Sequence, residues 1–131
     1  MAWSSQQLLP GYPLLEAKLN ATRQGIAPFR TGQDPALHFL RAPGWFKKAG
    51  LINIEGKSFI KSFQAPLDDK IRKALEPFFD MRWGNPKGEL SEKDLNLYHR
   101  LCLPESPDFI LNLPDYYAFF TYTLFKAEVP G

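Results

Sequence analysis

From Tyr116 to Val129 the chain reads Tyr-Tyr-Ala-Phe-Phe-Thr-Tyr-Thr-Leu-Phe-Lys-Ala-Glu-Val, aromatic or β-branched on both alternating faces for about ten positions. A strand with one wet face alternates apolar with polar residues, whereas an interior strand of a covered sheet is apolar throughout. The run therefore predicts a strand buried on both faces. Leu51 to Phe63 has a different pattern, with Ile52, Ile54, Gly56, Ser58 and Ile60 on one face and Asn53, Glu55, Lys57 and Lys61 on the other. That alternation predicts an edge or near-edge strand, and the two long strands are expected to pair antiparallel.

Helical periodicity occupies the stretches between them. Asp34 as N-cap and Pro35 at the first helical position open a helix with Leu37, Leu40, Trp45, Phe46 and Ala49 on its apolar face, closed by Gly50 and bent at Pro43. A second helix starts at Pro66 and carries Leu67, Ile71, Ala74, Leu75 and Phe78 opposite Asp68, Asp69, Arg72 and Lys73. After the turn Gly84-Asn-Pro-Lys-Gly88, Ser91-Glu-Lys-Asp94 forms a variant capping box with Leu90 and Leu95 as a hydrophobic staple, opening a third helix to Leu103. Phe109 to Leu113 is a short helix or strand. The first 33 residues hold a short helix, Leu14 to Arg23, among prolines and glycines and read as an irregular, lid-like segment.

The chain is thus expected to be one α/β domain over residues 1–131: a lid-like segment at 1–33, a helix and strand at 34–63, helices at 64–104 and a last strand within 105–131. Two long strands with three to four helices leave an aromatic strand short of neighbours, so the sheet is expected to be incomplete and finished by another chain. At 131 residues with 44% hydrophobic and 23% charged residues, a core is affordable and wholesale disorder is excluded. Aromatics reach 15%, with eleven Phe, five Tyr and three Trp, which implies an aromatic core or an aromatic surface awaiting a partner. A net charge of +2 with interspersed signs gives no stripe for nucleic acid. No stretch approaches the roughly 18 to 20 apolar residues of a membrane span, and the single Cys102 is compatible with a reducing compartment; a soluble, cytoplasmic protein is expected.

The run Leu40-Arg41-Ala42-Pro43-Gly44-Trp45-Phe46-Lys47-Lys48-Ala49-Gly50-Leu51, followed by a strand and later by the aromatic terminal strand, resembles the C-terminal part of class I S-adenosylmethionine-dependent methyltransferases. The resemblance implies that a last helix of the form W-x-x-x-A-G-[FL] leads into the sixth strand of that fold. Tyr116 to Val129 would be the seventh, returning antiparallel between the sixth and the fifth. Met1-Ala-Trp-Ser-Ser would be the stub after the fifth strand, residues 6–33 a segment closing over substrate, and the helices at 66–103 an insertion. The family's glycine-rich cofactor loop has no counterpart, since no two glycines lie closer than four residues apart. The chain is therefore expected to bind no S-adenosylmethionine alone and to be the substrate-side portion of a split or truncated enzyme, inactive without an N-terminal methyltransferase half. A second reading is a non-enzymatic module that forms a homodimer through its terminal strand.

Candidate chemistry is sparse. His99 and Cys102 lie three apart on one helix, but His38 is the only other histidine and a closed zinc site lacks ligands, so neither metal nor cysteine catalysis is expected. Asp68 and Asp69 suit a helix's first turn and Asp115 a strand entrance. Trp3, Tyr12, Phe29 and Arg30, with Tyr116 and Tyr117 at the mouth of the last strand, are the candidate contacts for a small-molecule substrate, an aromatic wall with one cation. Packing of the N-terminal segment on the sheet explains the same residues.

Overall fold

The computed structural model of the protein describes residues 6–26 and 34–131. Over these residues the fold is α/β, with five helices and one antiparallel sheet of three strands. The strands are β1 (Gln6–Gln7), β2 (Ile52–Gln64) and β3 (Tyr117–Glu128), in the order β1-β3-β2. The helices are α1 (Pro13–Ala21), α2 (Arg23–Ile26), α3 (Ala42–Lys48), α4 (Asp69–Trp83) and α5 (Glu92–Cys102).

Capping side chains set several of these boundaries. Asp68 begins α4 by accepting from the Ile71 amide at 2.9 Å, and Ser91 begins α5 by accepting from the Asp94 amide at 3.1 Å. The region expected as one helix from Asp34 is instead broken. Asp34 does cap, accepting from the Ala36 amide at 2.8 Å, but it opens only a 3-10 turn at Pro35–Leu37, followed by another at Phe39–Arg41. Pro43 lies at the start of α3 rather than in the middle of a longer helix, because a proline without an N–H fits the first turn and disrupts an interior. Gly50, at φ +79°, ends α3 in a Schellman motif, with its amide on the Lys47 carbonyl and the Leu51 amide on that of Phe46.

The core lies where α1, α4 and α5 meet the base of the sheet. Leu8, Leu9, Leu15, Leu19, Leu75, Phe79, Trp83, Tyr98, Leu101, Phe109 to Leu111, Tyr116 and Ala118 are all buried in one cluster. Residues 8 to 19, expected as part of a lid-like segment, thus supply four leucines to the centre of the protein. The Trp83 indole N–H donates to Asn20 Oδ1 at 2.9 Å and the Tyr98 hydroxyl to the Gly84 carbonyl at 2.9 Å, so two large buried side chains place their polar atoms on partners. Arg72 ties α4 to the Ile110–Asn112 turn, donating to the Leu111 carbonyl and lying 5.6 Å from the Phe109 ring centre.

β2 and β3 pair continuously from Glu55↔Lys126 to Gln64↔Tyr117, so each strand's alternate residues define two faces. One face carries Phe59, Phe63, Ala118, Phe120, Tyr122 and Leu124; at its base it meets α4 through Phe78, whose ring stacks on Phe120 at 5.9 Å. The opposite face carries Ile60, Ser62, Tyr117, Phe119 and Thr121. The expectation that β3 is buried on both faces is corrected here: Tyr117, Tyr122 and Leu124 are 50%, 48% and 59% exposed. The core helices cover one face at the sheet's base, α3 contacts both β2 and β3, and the strands run past the core as a two-stranded ribbon. A bulge between Ile52 and Glu55, with Asn53 at φ +51°, interrupts the ladder at the far end. It swings Ile52 onto the face of Glu128, away from the Ile54 face to which alternation assigned it.

The tightest packing is between α1 and α2. A Cβ on Gly25 would stand 1.9 Å from the Leu19 carbonyl oxygen, a backbone atom that cannot rotate away. Gly25→Ala is expected to lower stability by about 1–3 kcal/mol in urea unfolding. Gly44→Ala, where a Cβ meets nothing within 4 Å, is expected to stay within about 1 kcal/mol of the parent.

Candidate functional site

Two places concentrate unusual chemistry: a carboxylate sealed in the core and an apolar ribbon open to water. Glu16 is on α1 at 1% exposure. Its carboxylate accepts from the Leu8 amide at 2.8 Å (Oε2) and 3.0 Å (Oε1), and from the Leu9 amide at 2.9 Å. Burial raises its pKa despite these bonds and the nearby positive charge of Arg82. Arg82, itself buried on α4, donates to the Gly25 carbonyl and has its pKa lowered by the same loss of water. The Tyr116 hydroxyl donates to the Leu8 carbonyl at 2.9 Å. The group joins the β1 end, α1, α2, α4 and β3, and its bonds are spent on backbone, which makes it a structural network.

The candidate substrate contacts do not form a wall over the described residues. Tyr116 is fully buried with its hydroxyl used internally, Tyr12 is half-buried against the core, and Tyr117 is half exposed on the other face of the sheet from Tyr116. Trp3, Phe29 and Arg30 lie outside the described residues. Cys102 is buried, and burial together with the Glu16 charge pushes its thiol pKa upward, away from the thiolate that nucleophilic chemistry needs. His99 is partly exposed on the same helix, and among the described residues no group of three or more His, Cys, Asp or Glu is placed to hold a metal. Asp68 caps α4 and Asp69 stands in its first turn, which are local roles. A cleft of about 610 Å³ is lined by Lys18, Thr22, Glu89 and Asp94 among others. Lys18 pairs with Asp94 across it at 2.7 Å, holding that carboxyl below its usual range, and Glu89 accepts from the Arg23 amide, so the cleft's charges already serve α1, α2 and α5.

The ribbon is what remains for recognition. On its core-side face Phe59 and Tyr122 stack at 5.1 Å directly opposite each other, and Phe63 meets Phe120 at 5.6 Å. Lys57 and Lys61 fold over Phe59 and Phe63 at 5.3 and 5.9 Å. On the opposite face Ile60 is 74% exposed, opposite Thr121. Among the described residues β2 pairs with β3 alone, and β1 covers β3 only at Phe119 and Phe120. Among the described residues the open edge of the sheet is thus β2 along its whole length. Alternation in the sequence marked β2 as an edge, but nothing in the pattern of β3 revealed that its far half would lack cover. No helix among the described residues is long and apolar enough to cross a membrane.

Glu16→Gln sets an amide –NH₂ against the Leu8 and Leu9 donors and is expected to cost about 1–3 kcal/mol in urea unfolding. Because burial raises the Glu16 pKa, the folded chain keeps its proton to higher pH than the unfolded chain. The Glu16 contribution therefore falls as pH rises past the ordinary glutamate range. The parent's advantage over Glu16→Gln is expected to narrow as pH rises above the ordinary glutamate range; an advantage that widens with rising pH contradicts the assignment.

No family model, no curated protein and no solved structure matches this chain.

Proposed function

We propose that the protein is an interaction module and that its β2–β3 ribbon is a surface completed by another polypeptide. The observation that carries this reading is the pairing of an open strand edge with exposed apolar side chains on the same element. Ile60, Tyr122 and Leu124 stand in water at 74%, 48% and 59% exposure beside the β2 edge, which no strand among the described residues pairs. A strand added to such an edge gains main-chain hydrogen bonds, while the flanking side chains supply apolar contact. The core supports the ribbon from its base and does not use Ile60 or Leu124. Removal of these two side chains therefore affects association rather than folding.

A second reading keeps the methyltransferase resemblance. β3 runs antiparallel to β2 and α3 leads into β2, as that resemblance implies for its seventh and sixth strands and its last helix. On this reading the completing polypeptide is a cofactor-binding half, and this chain shapes the acceptor side.

Ile60→Lys with Leu124→Thr is expected to leave the unfolding free energy within about 0.5 kcal/mol of the parent; a loss above about 2 kcal/mol would show that these side chains belong to the fold. Hydrogen exchange supplies the complementary measurement. The outward-facing amides of residues 54–62 are expected to exchange freely at dilutions where the chain is monomeric, and protection there would mean that the chain covers its own edge, which overturns the interaction reading. For the second reading, calorimetric titration of S-adenosylmethionine into this chain alone is expected to give no saturable heat. Tight binding would contradict the assignment of the cofactor site to another polypeptide.

A further inference from the structure

Resting on the reading of the ribbon as an interaction surface, we infer that its partner is a second copy of this chain, joined β2 edge to β2 edge in one antiparallel register centred on Ser58. The terminal strand, expected from sequence to make such a contact, sits inside the sheet at its base. Among the described residues the edge that is open throughout is β2. Two copies related by a two-fold axis would form a closed arrangement β3-β2-β2-β3, with no residual tendency to extend along these edges.

Charge selects the register. Opposed residues in an antiparallel ladder share a face, so the axis passes through one residue and its own copy. Centred on Ser58, the ladder sets Glu55 opposite Lys61 of the second copy, Lys57 opposite Phe59, Gly56 opposite Ile60 and Ile54 opposite Ser62, each twice by symmetry. Glu55 already holds Lys126 at 2.9 Å, so each side gains a row of Lys126, Glu55 and the second copy's Lys61 with alternating sign. Lys57 already lies over Phe59 of its own strand, and the second copy's Phe59 offers it the same kind of aromatic surface. On the other face, the exposed Ile60 of the second copy stands opposite Gly56 and meets the Phe125 ring, which lies 2.8 Å from where a Gly56 Cβ would stand and covers that position.

Neighbouring registers fail on these residues. Centring on Lys57 sets that lysine against its copy, and centring on Phe59 sets Lys57 against Lys61 twice; like charges directly opposed destabilise a ladder. Centring on Gly56 brings the Asn53 bulge opposite Phe59 and breaks the pairing. Centring on Ile60 leaves Glu55 without a cationic partner across the axis. Lysines on an edge strand ordinarily discourage pairing. Here they discourage the registers centred on Lys57 and Phe59, and in the register centred on Ser58 they favour pairing because Glu55 answers Lys61.

The test is a charge exchange followed by sedimentation at concentrations up to about 100 µM. The parent is expected to dimerise, while Glu55→Lys and Lys61→Glu, each placing like charges opposite each other twice, weaken self-association by about tenfold or more. Mixed together, the two variants again present opposite charges and are expected to recover a one-to-one dimer. Residues 55 and 61 are exposed, and an unchanged unfolding midpoint for each variant is the control for folding. A monomeric parent, a dimer insensitive to both substitutions, or variants that fail to pair on mixing would each overturn the proposal. Failure of the underlying reading is seen separately, as hydrogen-exchange protection of residues 54–62 in the monomer. A monomeric parent with those amides unprotected rejects the second copy as partner and leaves the ribbon's role standing.

Discussion

The carboxylate of Glu16 is the constraint on which the rest of the structure depends. Leu8 and Leu9 leave β1 and enter the core with their side chains buried, taking two backbone amides out of water and away from any ladder. An unsatisfied buried amide is costly, and here both amides are met by one side chain from α1, while the Leu8 carbonyl takes the Tyr116 hydroxyl. The carboxylate bears the cost of burial so that the chain can cross from sheet to helix inside the core. The buried Arg82 guanidinium on α4 offsets part of that cost and fastens α2 through the Gly25 carbonyl. β1, α1, α2, α4 and β3 are therefore referred to one polar centre.

That arrangement explains why the protein has two unlike halves. The base of the sheet is held by aromatic packing against α4 and by Tyr116, and is as closed as an ordinary core. Beyond Thr121 on β3 the helices no longer cover the face that carries Tyr122 and Leu124, and hydrogen bonds between β2 and β3 continue without a layer over these side chains. Two-stranded ribbons are marginal in water unless a third strand or a packed layer supports them. The stacked Phe59 and Tyr122 rings and the Ser58–Thr123 hydroxyl contact at 2.8 Å stabilise this one from within. A partner strand would add the missing support.

Much of this was legible in the sequence, and the rest was not, for identifiable reasons. The extents of β2 and β3 and their antiparallel pairing followed from alternation and from apolar runs, and the Ser91 cap followed from its capping-box pattern, whereas the second helix opens at the Asp68 cap and not at Pro66, where it was expected. The continuous apolar character of β3 misled, because it measures what a strand can bury and not whether a layer is there to bury it. The N-terminal segment misled in the opposite direction. Pro10, Gly11 and Pro13 suggested a loose cover, yet Leu8, Leu9, Leu15 and Leu19 lie at the centre, and the signal was Glu16 among leucines, a charge that only a buried set of backbone donors explains. Of the candidate contacts, Tyr116 proved to be part of this network. The exposed residues that matter most for recognition, Ile60 and Leu124, looked like ordinary strand positions.

The Ala65 amide donates to the Tyr116 carbonyl at 2.8 Å, just before the first ladder pair, Gln64↔Tyr117. The two strands are joined by α4 and α5 and not by a tight turn, so no hairpin loop dictates their alignment. The alignment is dictated by this clasp and by the seating of Tyr116 in the core. A slip of one residue at the clasp would move every β2 side chain to the other face, carrying Phe59 and Phe63 away from the Tyr122 and Phe120 rings and turning Ile60 toward α4. What the protein shows to the outside at the tip of its ribbon is in this sense decided at its buried end, by the fit of one tyrosine.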